Sequence, residues 1–321
     1  MMKEKITTQY FSEFVEEWLY SVEYKIAKST YVKYEHLARN HIIPFFKDVT
    51  CDMLDNECLM RFYNKINERE DSSQKVLSMG KRRTIVMIVN NALEYAFNLN
   101  VLAEKYYIRP RLVKQKKVVR IFSQEDQAKI EQYILLQKDE YSLAVMLALF
   151  TGLRLGEICA LQWKDINFEI NSLYVNKTVQ RLKTYNNSTV VQTELVVSQP
   201  KSAASYRLIP LPRFLTDYLK SFPHECQDAY ILTDDPEKPM EPRTLQYHYK
   251  KILEKCNVPY LNFHCLRHTF ATRCVTLGWD MKTLSEILGH FDIKVTMEYY
   301  FHSSFEFKKA QMDKISLLSQ N

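Results

Sequence analysis

The sequence predicts a mainly α-helical chain with one small antiparallel β-sheet, divided into an N-terminal helical bundle and a larger mixed α+β domain. Three observations predict it. Apolar residues recur at helical spacing in four successive stretches before residue 100. Segments rich in Val, Leu, Ile and Tyr fall together between residues 170 and 211. The 321 residues exceed one typical core, so two domains are expected.

Taken in order, residues 7–24 read as an amphipathic helix with Phe14, Val15, Trp18, Leu19 and Val22 on one face. Ser29 is placed to cap a second helix carrying Tyr31, Tyr34, Leu37, Ala38 and His41, which Pro44 should end. A third helix is expected near 52–69, a polar loop at 68–74, and a fourth helix over 76–99 with Ile85, Ile88, Val89, Ala92, Leu93 and Ala96 inward. Such apolar stripes are more often core than binding surface. Ser123 should cap a further helix, with Glu125 and Asp126 in its first turn. Leu143 to Phe150 is an apolar run suited to a buried helix, and Thr151-Gly152 turns into another beginning near Arg154. Residues 170–179, 189–198 and 206–211 read as three strands, with a turn at 200–205. From Pro212 the chain should be helical to its end, interrupted near 233–242 by a Pro- and Asp-rich loop.

Composition excludes several classes. Apolar residues make up 46% and charged residues 26%, as in ordinary globular proteins. The net charge of +6 leans only weakly towards a polyanionic partner. Seven scattered cysteines without a Cys-x-x-Cys pair fit a reducing compartment and argue against a disulfide frame or zinc ribbon. The longest apolar run is far short of a membrane span, and the N-terminus has no apolar signal region, so a cytoplasmic protein without membrane contact is expected.

Three segments carry chemistry. The first is Thr151-Gly152-Leu153-Arg154-Leu155-Gly156-Glu157, where Arg154 and Glu157 are three apart and share a helical face. The second is His264-Cys265-Leu266-Arg267-His268, and the third runs from Leu288-Gly289-His290 to Thr296-Met297-Glu298-Tyr299-Tyr300-Phe301-His302. An isolated Arg-x-x-Glu is usually a surface ion pair. His264 and His268, spaced i, i+4, could suit zinc, but Cys265 stands where zinc proteases carry Glu, and a third ligand has no clear candidate. Arginine suits phosphate because its guanidinium is permanently charged, planar and able to donate two parallel hydrogen bonds. Between the two predicted domains lies a basic stretch holding Arg109, Arg111, Lys114, Lys116, Lys117 and Arg120 and no acidic residue. A solvated linker is the bland reading; one that crosses a duplex would track phosphates with this composition.

In type, order and spacing these segments resemble the tyrosine recombinases, or phage-type integrases. The resemblance covers roughly residues 7–320 and is most specific over 151–302. It implies a core-binding helical domain (1–107), the basic linker (108–121), a catalytic domain (122–302) and a tail (303–321) that docks in trans. Many integrases carry an arm-binding domain ahead of the helical one. Here the helical pattern starts near residue 7, so none is expected.

By this resemblance Arg154 and Arg267 clamp the scissile phosphate, Glu157 holds Arg154, His264 handles a proton or hydrogen bond, His290 donates to the phosphate, and His268 packs. The segment Gln199-Pro200-Lys201 to Leu211 resembles the family's hairpin, whose lysine, here Lys201, protonates the leaving 5′ oxygen. Adjacent helical residues point about 100° apart, so only one of Tyr299 and Tyr300 can be the nucleophile. The Thr-Met-x-x-Tyr-x-His pattern selects Tyr300; a nine-residue spacing from His290, used by some relatives, would select Tyr299.

The expected activity is site-specific DNA strand cleavage and rejoining through a 3′-phosphotyrosyl intermediate, serving integration and excision of a mobile element. No metal or other cofactor is implied. The implied partners are double-stranded attachment sites and three further protomers in a homotetramer; whether excision takes an accessory factor is left open. A type IB topoisomerase-like enzyme and a catalytically silent DNA-binding regulator are the rival readings.

Overall fold

The computed structural model describes residues 9–67, 77–109, 119–185, 191–199 and 205–290, with 292, 293, 297, 309, 312 and 313. The chain divides into two compact units. One comprises Met1–Lys116 with Leu182–Gln192, the other Lys117–Arg181 with Thr193–Asn321.

Apart from the strand residues within Leu182–Gln192, the first unit is helical. Helices α1 (Phe11–Val22), α2 (Lys28–Leu37), α3 (Ile43–Phe46), α4 (Asn56–Asn67) and α5 (Met79–Asn98) enclose one core. Its centre is aromatic: Phe46 lies 5.0 Å from Phe11 and 4.9 Å from Phe62, between ring centroids, in the range that favours edge contacts. Three expectations are corrected. Ser29 lies inside α2, and Ala27, without a side-chain cap, precedes it. Pro44 does not end the helical path. A π-type turn, Ala38–Ile42, resets the hydrogen bonding, and Pro44 then sits in the first turn of α3, where no N–H is needed. The third predicted helix begins later than expected, after a 3-10 turn at Cys51–Met53. Ser78 caps α5, and the expected loop at 68–74 lies outside the described residues. Buried Asn90 fixes the exit of this unit, donating to Ile108 O (3.0 Å) and accepting from Ile108 N–H (2.8 Å).

In the second unit, α6 (Gln124–Gln137) starts at Ser123, whose Oγ accepts from Asp126 N–H at 3.0 Å. Helix α7 (Glu140–Thr151) is the apolar run, buried on nearly every side. It packs against α6, α8 (Leu155–Ala160), α9 (Arg213–Lys220), α10 (Pro242–Lys255) and α11 (His264–Thr276). Helix α12 (Met281–Leu288) packs on α11.

The strands differ from the expected single sheet. Strands β1 (Ile166–Asn167), β2 (Ser172–Val175) and β5 (Arg207–Pro210) form one antiparallel sheet in the order β1-β2-β5. Strands β3 (Thr178–Tyr185) and β4 (Val191–Ser198) form a separate pair. The predicted strand at 170–179 breaks because Asn176 and Lys177 both turn their side chains to Asp165. The non-helical stretch after α9 is longer than expected, running from Ser221 to Glu241; Tyr230 within it makes a bridge to Gln162.

Candidate active site

The site is built around two chain reversals in the second unit. Helix α7 ends at Gly152, in the left-handed region at φ 65°, with its N–H bonded to Ala148 O. A Cβ there would lie 2.6 Å from a Phe270 ring carbon and 2.8 Å from a Leu288 methyl, so only glycine fits this turn. The chain then reaches Arg154, the N-cap of α8. Glu157, at the third position of α8, accepts from Arg154 N–H at 2.9 Å and from Arg154 Nη1 at 2.7 Å. Gly156 lets α8 approach β3, where a Cβ would meet Val179 O at 2.5 Å.

Helix α12 ends at Gly289, again left-handed at φ 63°. Gly289 N–H bonds to Glu286 O and His290 N–H to Ser285 O, both at 3.0 Å, which closes the helix end and fixes the backbone of His290. Three successive carbonyls at this end each accept from a different arginine. Arg207 Nε donates to Ile287 O at 2.6 Å, Arg267 Nη2 to Leu288 O at 2.6 Å, and Arg154 Nη2 to Gly289 O at 3.0 Å. The negative end of the helix dipole favours cations here. Arg267 Nη1 also donates to Gly152 O at 2.7 Å, joining the two glycine turns.

Burial separates the arginines. Arg267 is 2% exposed and Arg207 7%, whereas the Arg154 side chain is 36% exposed. The named groups carry three positive charges against the one carboxylate of Glu157. Burial would raise that carboxyl, but the Arg207 and Arg154 guanidiniums outweigh it and hold its pKa at about 2. Burial, reinforced by Arg267, Arg154 and Arg207, pushes His290 down to about 3. Burial, the neighbouring His268 and the same two arginines, Arg267 and Arg154, push His264 down to about 4. Both imidazoles are therefore neutral at neutral pH. His264 and His268 meet edge to face at 4.6 Å. Among the described residues no three His, Cys, Asp or Glu side chains gather as a metal site.

Arg154, Glu157, Arg267, His264 and His290, predicted from separate segments, thus belong to one cluster. Lys201, Tyr299 and Tyr300 lie outside the described residues, as do Arg111, Lys114, Lys116 and Lys117. Arg109 and Arg120 are described and exposed. Two features were missed. Arg207 binds Glu157 through two bonds, of 3.1 Å and 2.8 Å. Its signal was the alternation in Arg207-Leu208-Ile209, which puts Arg207 on the same inward face as Ile209. In the first unit Lys33, Lys81 and Arg83 are exposed on α2 and α5, where Lys33 Nζ reaches Thr84 Oγ1 at 3.3 Å. The Lys81-Arg82-Arg83 run was their signal.

Comparisons with known proteins give the family and the fold. The phage integrase family model matches residues 112–306, and that for the phage integrase N-terminal SAM-like domain matches 10–67. A tyrosine recombinase XerC-like protein of Caldanaerobacter subterraneus is 28% identical, over 89% of this chain and 77% of its own. The ICEBs1 integrase of Bacillus subtilis is 25% identical, over 95% of this chain and 82% of its own. The Tn1549 transposon integrase, solved in complex with a circular intermediate DNA, shares the fold at TM-score 0.72 and 18% identity, covering 96% of this chain and 100% of that one. A match spanning most of the chain, over the segments that build the arginine–histidine cluster, places this chain in the phage integrase family, as a tyrosine recombinase.

Proposed function

We propose that this recombinase cuts and rejoins DNA at attachment sites to integrate and excise a mobile element. Tyr300 Oη passes its proton to the neutral His264 ring as it attacks the scissile phosphorus, the P–O5′ bond breaks, and a 3′-phosphotyrosyl ester forms. The leaving 5′ oxygen takes its proton from Lys201. Arg154 and Arg267 stabilise the charge that develops on the non-bridging oxygens, and Glu157 orients Arg154. His264 and His290, neutral before DNA binds, supply N–H donors to the same oxygens. The bond energy stays in the tyrosyl ester, so the reaction requires no nucleotide.

The carrying observation is the convergence of Arg154, Arg267, His264 and His290 around the end of α12. Residues 1–107 act as the core-type DNA-binding domain, with Lys33, Lys81 and Arg83 on phosphates, and 108–121 as the linker, with Arg109, Arg111, Lys114, Lys116, Lys117 and Arg120 tracking the duplex. Residues 122–302 form the catalytic domain, and the tail, 303–321, docks on a neighbouring protomer. Four protomers assemble on two duplexes in the cytoplasm, with an accessory factor for excision.

A nicked suicide substrate tests the chemistry. Tyr300→Phe should bind its site yet form no covalent adduct, while Tyr299→Phe keeps the adduct. The opposite pattern moves the nucleophile to Tyr299. A two-site plasmid that is relaxed but never recombined would favour the topoisomerase-like reading.

A further inference from the structure

We infer that Arg207 is a positioning residue for strand cleavage: it occupies the Glu157 carboxylate so that Arg154 can turn to the phosphate. This rests on the strand-cleavage reading above.

Glu157 is 5% exposed, and a buried carboxylate demands compensation. Arg207 supplies it as a fork, Nη1 to Oε1 and Nη2 to Oε2. Its remaining donors go to Ile287 O and Ser205 O. Four of the five guanidinium N–H groups can be assigned to these partners, all internal. Arg154 is the complement. It gives one Nη1 bond to Glu157 and one Nη2 bond to Gly289 O, and its side chain stays 36% exposed.

Without Arg207, Glu157 would have only Arg154 as a counter-charge. The carboxylate would draw the Arg154 guanidinium inward into a two-pronged pair, away from the face that the phosphate approaches. Arg207 also ties three segments together: the residue four after Lys201, the first turn of α8, and the last turn of α12 beside His290. Each segment carries a group assigned to the chemistry. No group on Arg207 needs to touch DNA for it to set their register.

The test compares the full chain with Arg207→Gln, Arg207→Lys and the double variant Glu157→Gln/Arg207→Gln. Half-site binding is read by gel shift. Covalent adduct formation is timed on suicide substrates carrying either the normal phosphate or a neutral methylphosphonate at the scissile position. Arg207→Gln should bind within about threefold of the unchanged chain but cleave the phosphate about 100-fold more slowly, the scale of a misplaced reacting group. On methylphosphonate, which has one charged oxygen fewer to stabilise, the gap should shrink to under about tenfold. The double variant should cleave the phosphate faster than Arg207→Gln, because the neutral amide that replaces the Glu157 carboxylate no longer draws Arg154 inward, yet stay below the unchanged chain, because Arg154 loses the carboxylate that orients it. Arg207→Lys keeps the charge without the fork and should fall between; if Arg207→Gln does not fold, the same substrate contrast is read on Arg207→Lys. Equal cleavage by Arg207→Gln and the unchanged chain overturns the inference, and so does an identical loss on both substrates. Failure of the unchanged chain to form any adduct would instead remove the strand-cleavage reading on which it rests.

Discussion

Replacing Gly152 by Ala should be costly, and the structure sets the amount. Gly152 sits at φ 65°, where an L side chain costs roughly 1–2 kcal/mol. The new methyl would also lie 2.6 Å from Phe270 and 2.8 Å from Leu288, both in a packed cluster. Forcing such neighbours aside costs about 1–3 kcal/mol. The sum is on the order of 2–5 kcal/mol, a Tm decrease of about 5–15 °C for a unit of this size. Gly278 separates the two contributions. Its φ is 82°, but a Cβ there meets nothing within 4 Å. Gly278→Ala should therefore show only the conformational part, a Tm decrease of about 3–6 °C. Thermal melts of both variants, followed by circular dichroism, give the comparison. Because Gly152 O also accepts from Arg267, Gly152→Ala should slow adduct formation even well below its Tm, whereas Gly278→Ala should not. A Gly152→Ala melting shift no larger than that of Gly278→Ala would refute the collision argument.

Three further outcomes are expected. Glu157 has a folded-state pKa of about 2 against an ordinary 4.5, so its contribution, on the order of 3 kcal/mol, is present above pH 4.5 and lost as pH falls towards 2. The stability difference between the unchanged chain and Glu157→Gln should therefore shrink below pH 4.5 in denaturant titrations; a difference constant from pH 6 to 3 would contradict this. Replacing Lys114, Lys116 and Lys117 by Ala should lower the slope of log affinity against log salt by roughly two to three, at about 0.9 for each phosphate no longer neutralised, and an unchanged slope would free the linker from DNA. A chain truncated after Ser304 should still bind single sites but lose cooperative assembly and recombination, and full recombination by the truncated chain would sink the role given to the tail.

Much of this protein was readable in the sequence because the signals are local. Ser123 announces α6 through one side chain and one N–H three residues on. The apolar run of α7 requires burial whatever surrounds it. Gly152 and Gly289 mark turns that other residues cannot make cheaply, and they flank Arg154 and His290. Arg154 and Glu157 were paired correctly from an i, i+3 spacing.

Tertiary structure decided what depends on distant partners. Whether Pro44 ends a helix depends on the π turn before it, and whether residues 170–179 form one strand depends on Asp165 drawing Asn176 and Lys177 aside. Strand β5 pairs with β2 across more than thirty residues, which no local pattern specifies. Above all, the sequence named two of the site's three arginines, Arg154 and Arg267, but not what orders them. Three guanidiniums, from segments up to 113 residues apart (Arg154 to Arg267), bind three successive carbonyls that the closing turn of α12 leaves unsatisfied. A helix end always leaves such carbonyls exposed to whatever donors come near; which donors arrive, and that buried Arg207 is among them, is settled only by how α7, α8, β5, α11 and α12 pack.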